Sequence, residues 1–164
     1  MRALGYRPLE GVAHGSEPRL ELVVGEHAGE VVGPASVWGA VEALKADRVR
    51  HGIRAVEDPA LVRELAAREI VLDVCPISNL RTGAVTSLEE HPLPRLVEAG
   101  VLCSISTDDP AMFDTDLSRD YEAAQRLGLD PRAAFDAGVA GALADDGLKA
   151  RLTAVGDAFE WAVP

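Results

Sequence analysis

The sequence predicts an α/β protein built around a parallel sheet. From residue 20 onward, short apolar runs alternate with amphipathic stretches, which is typical of repeated βα units. Four such units can be counted, and the pattern after the fourth is helical. Four units are too few to close an eight-stranded barrel, which typically takes about 250 residues. The expected fold is therefore half of such a barrel or a small open sheet, followed by C-terminal helices.

The first two units each combine a strand with a helix. The first strand is expected at residues 20–24. Its helix begins after Gly33-Pro34 and carries Val37, Trp38, Val41 and Leu44 on one face. The second strand is Arg48–Arg50. Asp58-Pro59, a capping residue followed by proline at the first helical position, then opens a helix with Leu61, Val62, Leu65 and Ala66 on its buried side.

The third and fourth strands are expected at residues 70–75 and 101–106. Between them lie a long polar loop from residue 78 to 83 and a helix over residues 93–98, closed by Ala99-Gly100. The tail predicts helices over residues 117–127, 131–144 and 145–161. Residues 1–19 show no clear period and are expected to form an irregular lead-in to a partial barrel domain at residues 20–164.

Composition excludes several classes of function. The formal net charge of −11 disfavours binding to nucleic acid or to anionic membranes. No stretch approaches the roughly 20 apolar residues of a transmembrane helix, and no signal peptide is recognisable at residue 1, so we expect a cytoplasmic protein. Both cysteines, Cys75 and Cys103, lie in apolar runs and are expected to be buried, reduced thiols.

Polar side chains follow the predicted strands, where parallel α/β folds place their chemistry. His27 and Asp108 are suitable zinc ligands, although a histidine after a strand is ordinary and Asp108 could instead cap a helix. Glu30, in a glycine-containing turn, could serve as a general acid or be a solvated loop residue. His51 could orient or deprotonate a metal-bound water, or play a structural role.

The remaining polar residues divide into those near the predicted site and those away from it. Asp109 would add a second carboxylate that accepts hydrogen bonds from a substrate. Ser78-Asn79 could line the pocket, but a role in fixing loops is favoured. His14 and His91 stand in polar, loop-like surroundings and are expected at the surface.

Four sequence blocks, in order, resemble the adenosine and AMP deaminase family of metal-dependent amidohydrolases. They begin at His27, Arg48, Val74 and Ser106, and they read HAGE, RVRHGIR leading to Asp58, VCPISNL, and STDDPAMF. The resemblance covers residues 20–121 well and the helical tail loosely. It implies that the chain forms the C-terminal half of a (β/α)8 TIM barrel.

The resemblance also implies a mechanism, in which zinc-held hydroxide attacks C6 of an aminopurine nucleoside and ammonia is released. His27 and Asp108 match zinc ligands, and Glu30 matches the acid that protonates purine N1. His51 matches the histidine that positions and deprotonates the water. Asp109 and Gly29 match substrate-binding positions, Asp109 by a hydrogen bond to the purine ring.

One departure from the family pattern affects activity. The family's first zinc ligands form a His-x-His pair, and no such pair occurs in these 164 residues. Two ligands and water should hold zinc weakly, so the isolated chain is expected to be an inactive fragment. Two alternatives remain: a split deaminase whose other chain supplies the N-terminal half, and a non-catalytic purine-binding or regulatory module.

Overall fold

The computed structural model describes residues 27–161, with His27 described as a backbone position only. The strand expected at residues 20–24, the irregular lead-in at residues 1–19 and the surface position expected for His14 lie outside the described residues. Among the helices of residues 27–161, none is long and apolar enough to cross a membrane.

Four parallel strands form the sheet, and they stand in the order in which they occur along the chain. The strands are β1 (His27–Ala28), β2 (Arg48–His51), β3 (Val71–Val74) and β4 (Cys103–Ile105). In the register, Arg50 lies opposite Asp73, and Asp73 lies opposite Ser104. Because neighbours are consecutive and parallel, the carboxyl ends of all four strands meet along one edge.

Helices follow every strand. They are α1 (Pro34–Trp38), α2 (Pro59–Ala67), α3 (Pro76–Arg81), α4 (Leu93–Glu98), α5 (Pro110–Phe113), α6 (Leu117–Arg126), α7 (Pro131–Ala140) and α8 (Asp146–Ala158). A π-helical segment at Gly39–Ala43 extends α1, and a 3₁₀ helix at Ile53–Glu57 leads into α2. The α/β class and the helical tail are as the sequence predicts.

Strand alternation gives the sheet one apolar and one more polar face. Side chains of the apolar face join the main core with those of α1, α2 and α4; fully buried members include Val37, Leu61, Leu65, Leu72, Leu93 and Leu96. On the opposite face, Arg48 donates to both carboxylate oxygens of Asp73, at 2.6 and 2.5 Å, and Ser104 also donates to Asp73. These contacts tie β2, β3 and β4 together.

Several local predictions are confirmed. Asp58 caps α2, since its Oδ1 accepts from the backbone N–H groups of Ala60 at 2.8 Å and Leu61 at 3.3 Å. Helix α4 has the predicted bounds, and Gly100 follows it at φ +83°. The thiols of Cys75 and Cys103 are free and buried, and burial raises the pKa of each to about 12.

Two local predictions are wrong. The first helix does not keep Leu44 on its buried face: Leu44 is 42% exposed and Ala40 is 6% exposed. The π-helical segment causes this, because its i→i+5 hydrogen bonds rotate the register of the following residues. The predicted loop from residue 78 is the second error, since residues 76–81 form α3, opened by Pro76 at its first position.

Candidate functional site

The candidate site lies where the four strands end. Glu30 stands in the turn after β1, and His51 is the last residue of β2. Asn79 lies on α3, which follows β3 after one residue, and Asp108 comes three residues after β4. The structure thus brings together three residues that the sequence predicts for the site, Glu30, His51 and Asp108, together with Asn79.

Tight turns after β1 and β2 fix the positions of Glu30 and His51. Gly29 and Gly52 both have positive φ, at +67° and +65°, which favours glycine. A Cβ atom on Gly29 would lie 3.1 Å from the Gly52 Cα and 2.5 Å from Val37 Cγ2, so the two turns are in close contact. Backbone hydrogen bonds from Gly52 to Ala28, at 2.9 Å, and from Arg54 to Gly29, at 2.8 Å, join them.

Two hydrogen bonds to Oε1 orient the Glu30 carboxylate. The side chain is 6% exposed. Its Oε1 accepts from Asn79 Nδ2 at 3.2 Å and from Thr82 Oγ1 at 3.0 Å. Its Oε2 lies 3.6 Å from His51 Nε2. The carboxylate is therefore oriented, with Oε2 directed at the imidazole.

His51 lies at the centre of the cluster and is completely buried. Its Nδ1 contacts Asn79 Nδ2 at 3.1 Å. Its Nε2 faces two carboxylates, Glu30 Oε2 at 3.6 Å and Asp108 Oδ2 at 3.8 Å. Both separations exceed an ordinary hydrogen bond. Two acidic groups from different strand ends thus converge on one ring nitrogen.

Asp108 is oriented by its neighbours and by a left-handed backbone. Its φ is +59°, which is uncommon for a residue with a side chain and is found at functional positions. Oδ2 accepts from Ser78 Oγ at 2.8 Å, and Oδ1 lies 3.6 Å from a guanidinium nitrogen of Arg50. Burial and, to a smaller extent, the negative charge of Asp108 raise the pKa of the nearby Cys75 thiol.

Asp109, unlike Asp108, is engaged in a helix cap in the structure. Its carboxylate accepts from the backbone N–H of Met112 at 2.8 Å and so caps the short helix α5. The side chain is exposed. Gly29 contributes the tight turn before Glu30.

The prediction that His91 lies at the surface is wrong. The role in fixing loops that the sequence favours for Ser78 and Asn79 leaves out their contacts with the site. His91 is 3% exposed and its Nε2 lies 3.3 Å from Asn79 Oδ1. Burial lowers the pKa of His91 to about 4. Ser78 and Asn79 are fully buried. The signal was present in the sequence, because His91-Pro92 directly precedes an apolar helix, where a polar residue can be buried.

A cleft of about 470 Å³ opens beside this cluster. Glu30 and Thr82 lie on its wall, and the 3₁₀ helix after β2 and residues 83–86 form much of the rest. Apolar contacts come from Ile53, Val56 and Val85. A planar ligand with polar edges would find both apolar walls and the Glu30 carboxylate in this cleft.

Metal binding can be tested against the donors that the structure describes. Imidazole and carboxylate groups, as found here, are the types that bind zinc. Within residues 28–161, no group of three His, Cys, Asp or Glu side chains is arranged to hold a metal ion. Asp108 is a suitable zinc ligand, because it is a carboxylate and Ser78 orients it. A complete zinc site needs further donors.

Comparison with known proteins agrees with this geometry. A family model described as adenosine deaminase matches residues 15–154. An aminodeoxyfutalosine deaminase of Acidothermus cellulolyticus is 50% identical over 164 aligned positions, covering 94% of this chain and 46% of the relative. An adenosine deaminase of Klebsiella pneumoniae is 48% identical, covering 63% and 31%.

Solved structures show the same similarity. An adenine deaminase from Arthrobacter aurescens matches with a TM-score of 0.76 and 32% identity, over 80% of this chain and 41% of that one. An amidohydrolase from Burkholderia ambifaria with bound Zn matches with a TM-score of 0.73 and 32% identity, over 80% and 38%. The chain spans less than half the length of these relatives. By the extent of its match to the family model, the chain belongs to the adenosine deaminase family.

Proposed function

We propose that this chain forms the C-terminal four βα units of a (β/α)8 barrel that hydrolyses the amino group of a 6-aminopurine nucleoside. The convergence of Glu30 and Asp108 on His51 Nε2 carries the proposal. These residues come from the ends of β1, β2 and β4, and Glu30 and His51 are buried beside a cleft. The strands that complete the barrel would be supplied by a longer chain or by a separate one.

The metal in this proposal is zinc, held by His27 and Asp108 together with donors from the other half of the barrel. The zinc-bound neighbour structure supports the choice of metal. When bound, zinc lowers the pKa of water towards about 7 and so supplies a nucleophile at neutral pH. Ser78 Oγ, which donates to Asp108 Oδ2, fixes the orientation of this ligand.

Glu30 is the proposed acid, and its hydrogen bonds determine which oxygen carries the proton. Asn79 Nδ2 and Thr82 Oγ1 both donate to Oε1, so Oε1 acts as an acceptor. A proton on this carboxyl group therefore resides on Oε2. From there it can pass to N1 of the purine as the nucleophile adds at C6, offsetting the charge that develops on the ring.

The other predicted site residues take supporting roles. His51 positions the attacking water between the two carboxylates. Gly29, which has no side chain, allows the ring of the substrate to approach the turn after β1. Asp109 accepts a hydrogen bond from the purine ring, which requires it to exchange its contact with the Met112 N–H for one with substrate.

Deamination by the purified chain tests the proposal. The chain would be assayed with adenosine and Zn²⁺, alone and mixed with the N-terminal half of the Acidothermus relative, with ammonia release as the readout. We expect zinc-dependent turnover only in the mixture, and at least a hundredfold loss in Glu30→Gln. Glu64→Gln, the same charge change on the surface of α2, serves as the control and should leave the rate unchanged.

A second candidate is a purine-binding module without catalysis. It rests on the cleft beside Glu30, whose apolar walls and carboxylate suit a purine. This candidate predicts that adenosine binds the isolated chain equally well with Zn²⁺ and with a chelator. Binding measured by calorimetry under both conditions, together with failure of the mixed assay, would establish it in place of the enzyme.

A further inference from the structure

The buried histidine His91 has no role in the mechanism above, yet its contacts lead directly into the site. Its Nδ1 accepts a hydrogen bond from the backbone N–H of Leu93 at 3.0 Å. A backbone amide can only donate, so Nδ1 carries no proton. Burial lowers the pKa of His91 to about 4, and the ring is therefore neutral at pH 7. Its single ring proton must lie on Nε2.

The proton on His91 Nε2 fixes the orientation of the Asn79 amide. Nε2 lies 3.3 Å from Asn79 Oδ1 and donates to it. With Oδ1 on this side, the NH₂ group of Asn79 points into the site, where it donates to Glu30 Oε1 at 3.2 Å. A carboxylate is an acceptor, so this second contact requires the same orientation. Two independent neighbours thus agree on the direction of the amide.

The second hydrogen of the Asn79 NH₂ group determines the tautomer of His51. Asn79 Nδ2 lies 3.1 Å from His51 Nδ1 and, as an amide nitrogen, can only donate. His51 Nδ1 must therefore accept and carries no proton, so the ring proton lies on Nε2. That nitrogen faces Glu30 Oε2 and Asp108 Oδ2.

We propose that His91 is a positioning residue of this site, which acts through Asn79 to hold His51 as the Nε2–H tautomer. The direction of the chain of hydrogen bonds is set by the Leu93 backbone N–H, a group that cannot change its role. Where the proposed deamination holds, His51 orients the attacking water by donating to its oxygen. Removal of the water proton then falls to a group other than His51 Nε2.

The proposed acid explains why a second anchor is needed. While Glu30 is ionised, it accepts from Asn79 and so also enforces the orientation of the amide. A protonated carboxyl group can also donate, so by itself it no longer excludes the opposite amide orientation; Oε1 then remains the acceptor because His91 holds Asn79 in place. His91 retains its direction in both states. The anchor at His91 therefore keeps His51 in one tautomer throughout the reaction.

The tautomers can be read from the ¹⁵N chemical shifts of the ring nitrogens in the isolated, uniformly labelled chain near pH 7. A nitrogen that carries hydrogen and one that does not give well-separated shifts. We expect both His51 and His91 to show a bare Nδ1 and a protonated Nε2. A protonated Nδ1 on His51 in the wild-type chain overturns the proposal without recourse to any variant.

Substitutions then test whether Asn79 and His91 determine the tautomer of His51. Asn79→Asp replaces the donor facing His51 by an acceptor, and we expect the proton of His51 to move to Nδ1. Glu30→Gln mimics the protonated acid and should leave His51 unchanged. Adding His91→Phe to Glu30→Gln removes both anchors, and the His51 shifts should move towards averaged values as the tautomers exchange.

A matched control separates this effect from simple loss of packing. Leu96 is also fully buried on α4 but contacts none of these side chains through hydrogen bonds. Leu96→Val combined with Glu30→Gln should leave the His51 shifts in place. If the Glu30→Gln/His91→Phe double variant keeps the separate His51 shifts of the wild-type chain, the proposed role of His91 is refuted. No measurement here needs metal or substrate, so the result stands apart from success or failure of the deamination assay.

Discussion

Acid should destabilise this protein through His91, and replacement of that residue should remove the effect. Burial holds the pKa of His91 near 4, against an ordinary value of 6.5. The unfolded chain therefore takes up a proton near pH 6.5 that the folded protein accepts only near pH 4. Stability from the neutral, buried ring is complete above pH 6.5 and is lost as the pH falls towards 4. At about 1.4 kcal/mol per pKa unit, the loss by pH 4 is about 3 kcal/mol.

The measurement compares the wild-type chain with His91→Phe, which keeps a planar ring but cannot titrate. Urea unfolding, followed by circular dichroism at pH 7, 6, 5 and 4, gives the free energy of unfolding of each protein. The variant should be less stable at pH 7, because Asn79 Oδ1 loses its donor. Between pH 7 and pH 4, however, its stability should fall by about 3 kcal/mol less than that of the wild type.

Other acid-sensitive groups contribute equally to the unfolding free energy of both proteins, so their contribution drops out of the difference. Arg68 lowers the pKa of Glu42, and Arg54 lowers that of Glu57, so both carboxylates also weaken the fold in acid. They are common to both proteins and affect both curves alike. Parallel stability curves for wild type and His91→Phe would show that His91 is not a buried neutral group, and the reasoning from its contacts would fail.

Further predictions concern the turns, caps and thiols. Gly52→Ala should destabilise by at least about 1 kcal/mol, because its φ is +65° and a Cβ would lie 2.6 Å from a side chain of β3. Gly39→Ala, in open space within a helical segment, should stabilise by about 0.5 kcal/mol in the same urea assay. Asp58→Ala should cost about 1 to 2 kcal/mol through the lost cap of α2, measured by thermal unfolding. Cys75 and Cys103, with pKa values of about 12, should resist a thiol reagent at pH 8 until urea unfolds the chain; rapid labelling of the native protein would contradict their burial.

Features set by neighbouring residues were predictable from the sequence. The Asp58 cap, helix α4 and strands β2 to β4 depend on local periodicity and on capping residues, and each lies within a few residues of its expected bounds. The sequence also predicts the helical tail: one break lies at Gly128, and the next ends at Asp145, the first residue of the Asp-Asp-Gly, which caps α8.

Features that depend on tertiary contacts were not predictable in the same way. The π-helical segment that exposes Leu44 has no signature in the apolar spacing. His91 is buried against Asn79, which lies 12 residues earlier, on α3. In the site, Glu30, His51 and Asp108 are predictable because they follow strand ends. The donation from Asn79 to Glu30 and His51 is visible only in the folded structure.

The contact between the turns at Gly29 and Gly52 limits how the site can be redesigned. A side chain at Gly29 would press on the Gly52 backbone and on Val37, so neither turn can be altered alone. Glu30 and His51 each adjoin one of these turns, so a change at either glycine is expected to displace both side chains. To change the ligand that the cleft accepts, both glycines should be left in place. Residues 83–86 are the better positions to vary, because they border the cavity without holding Glu30 or His51.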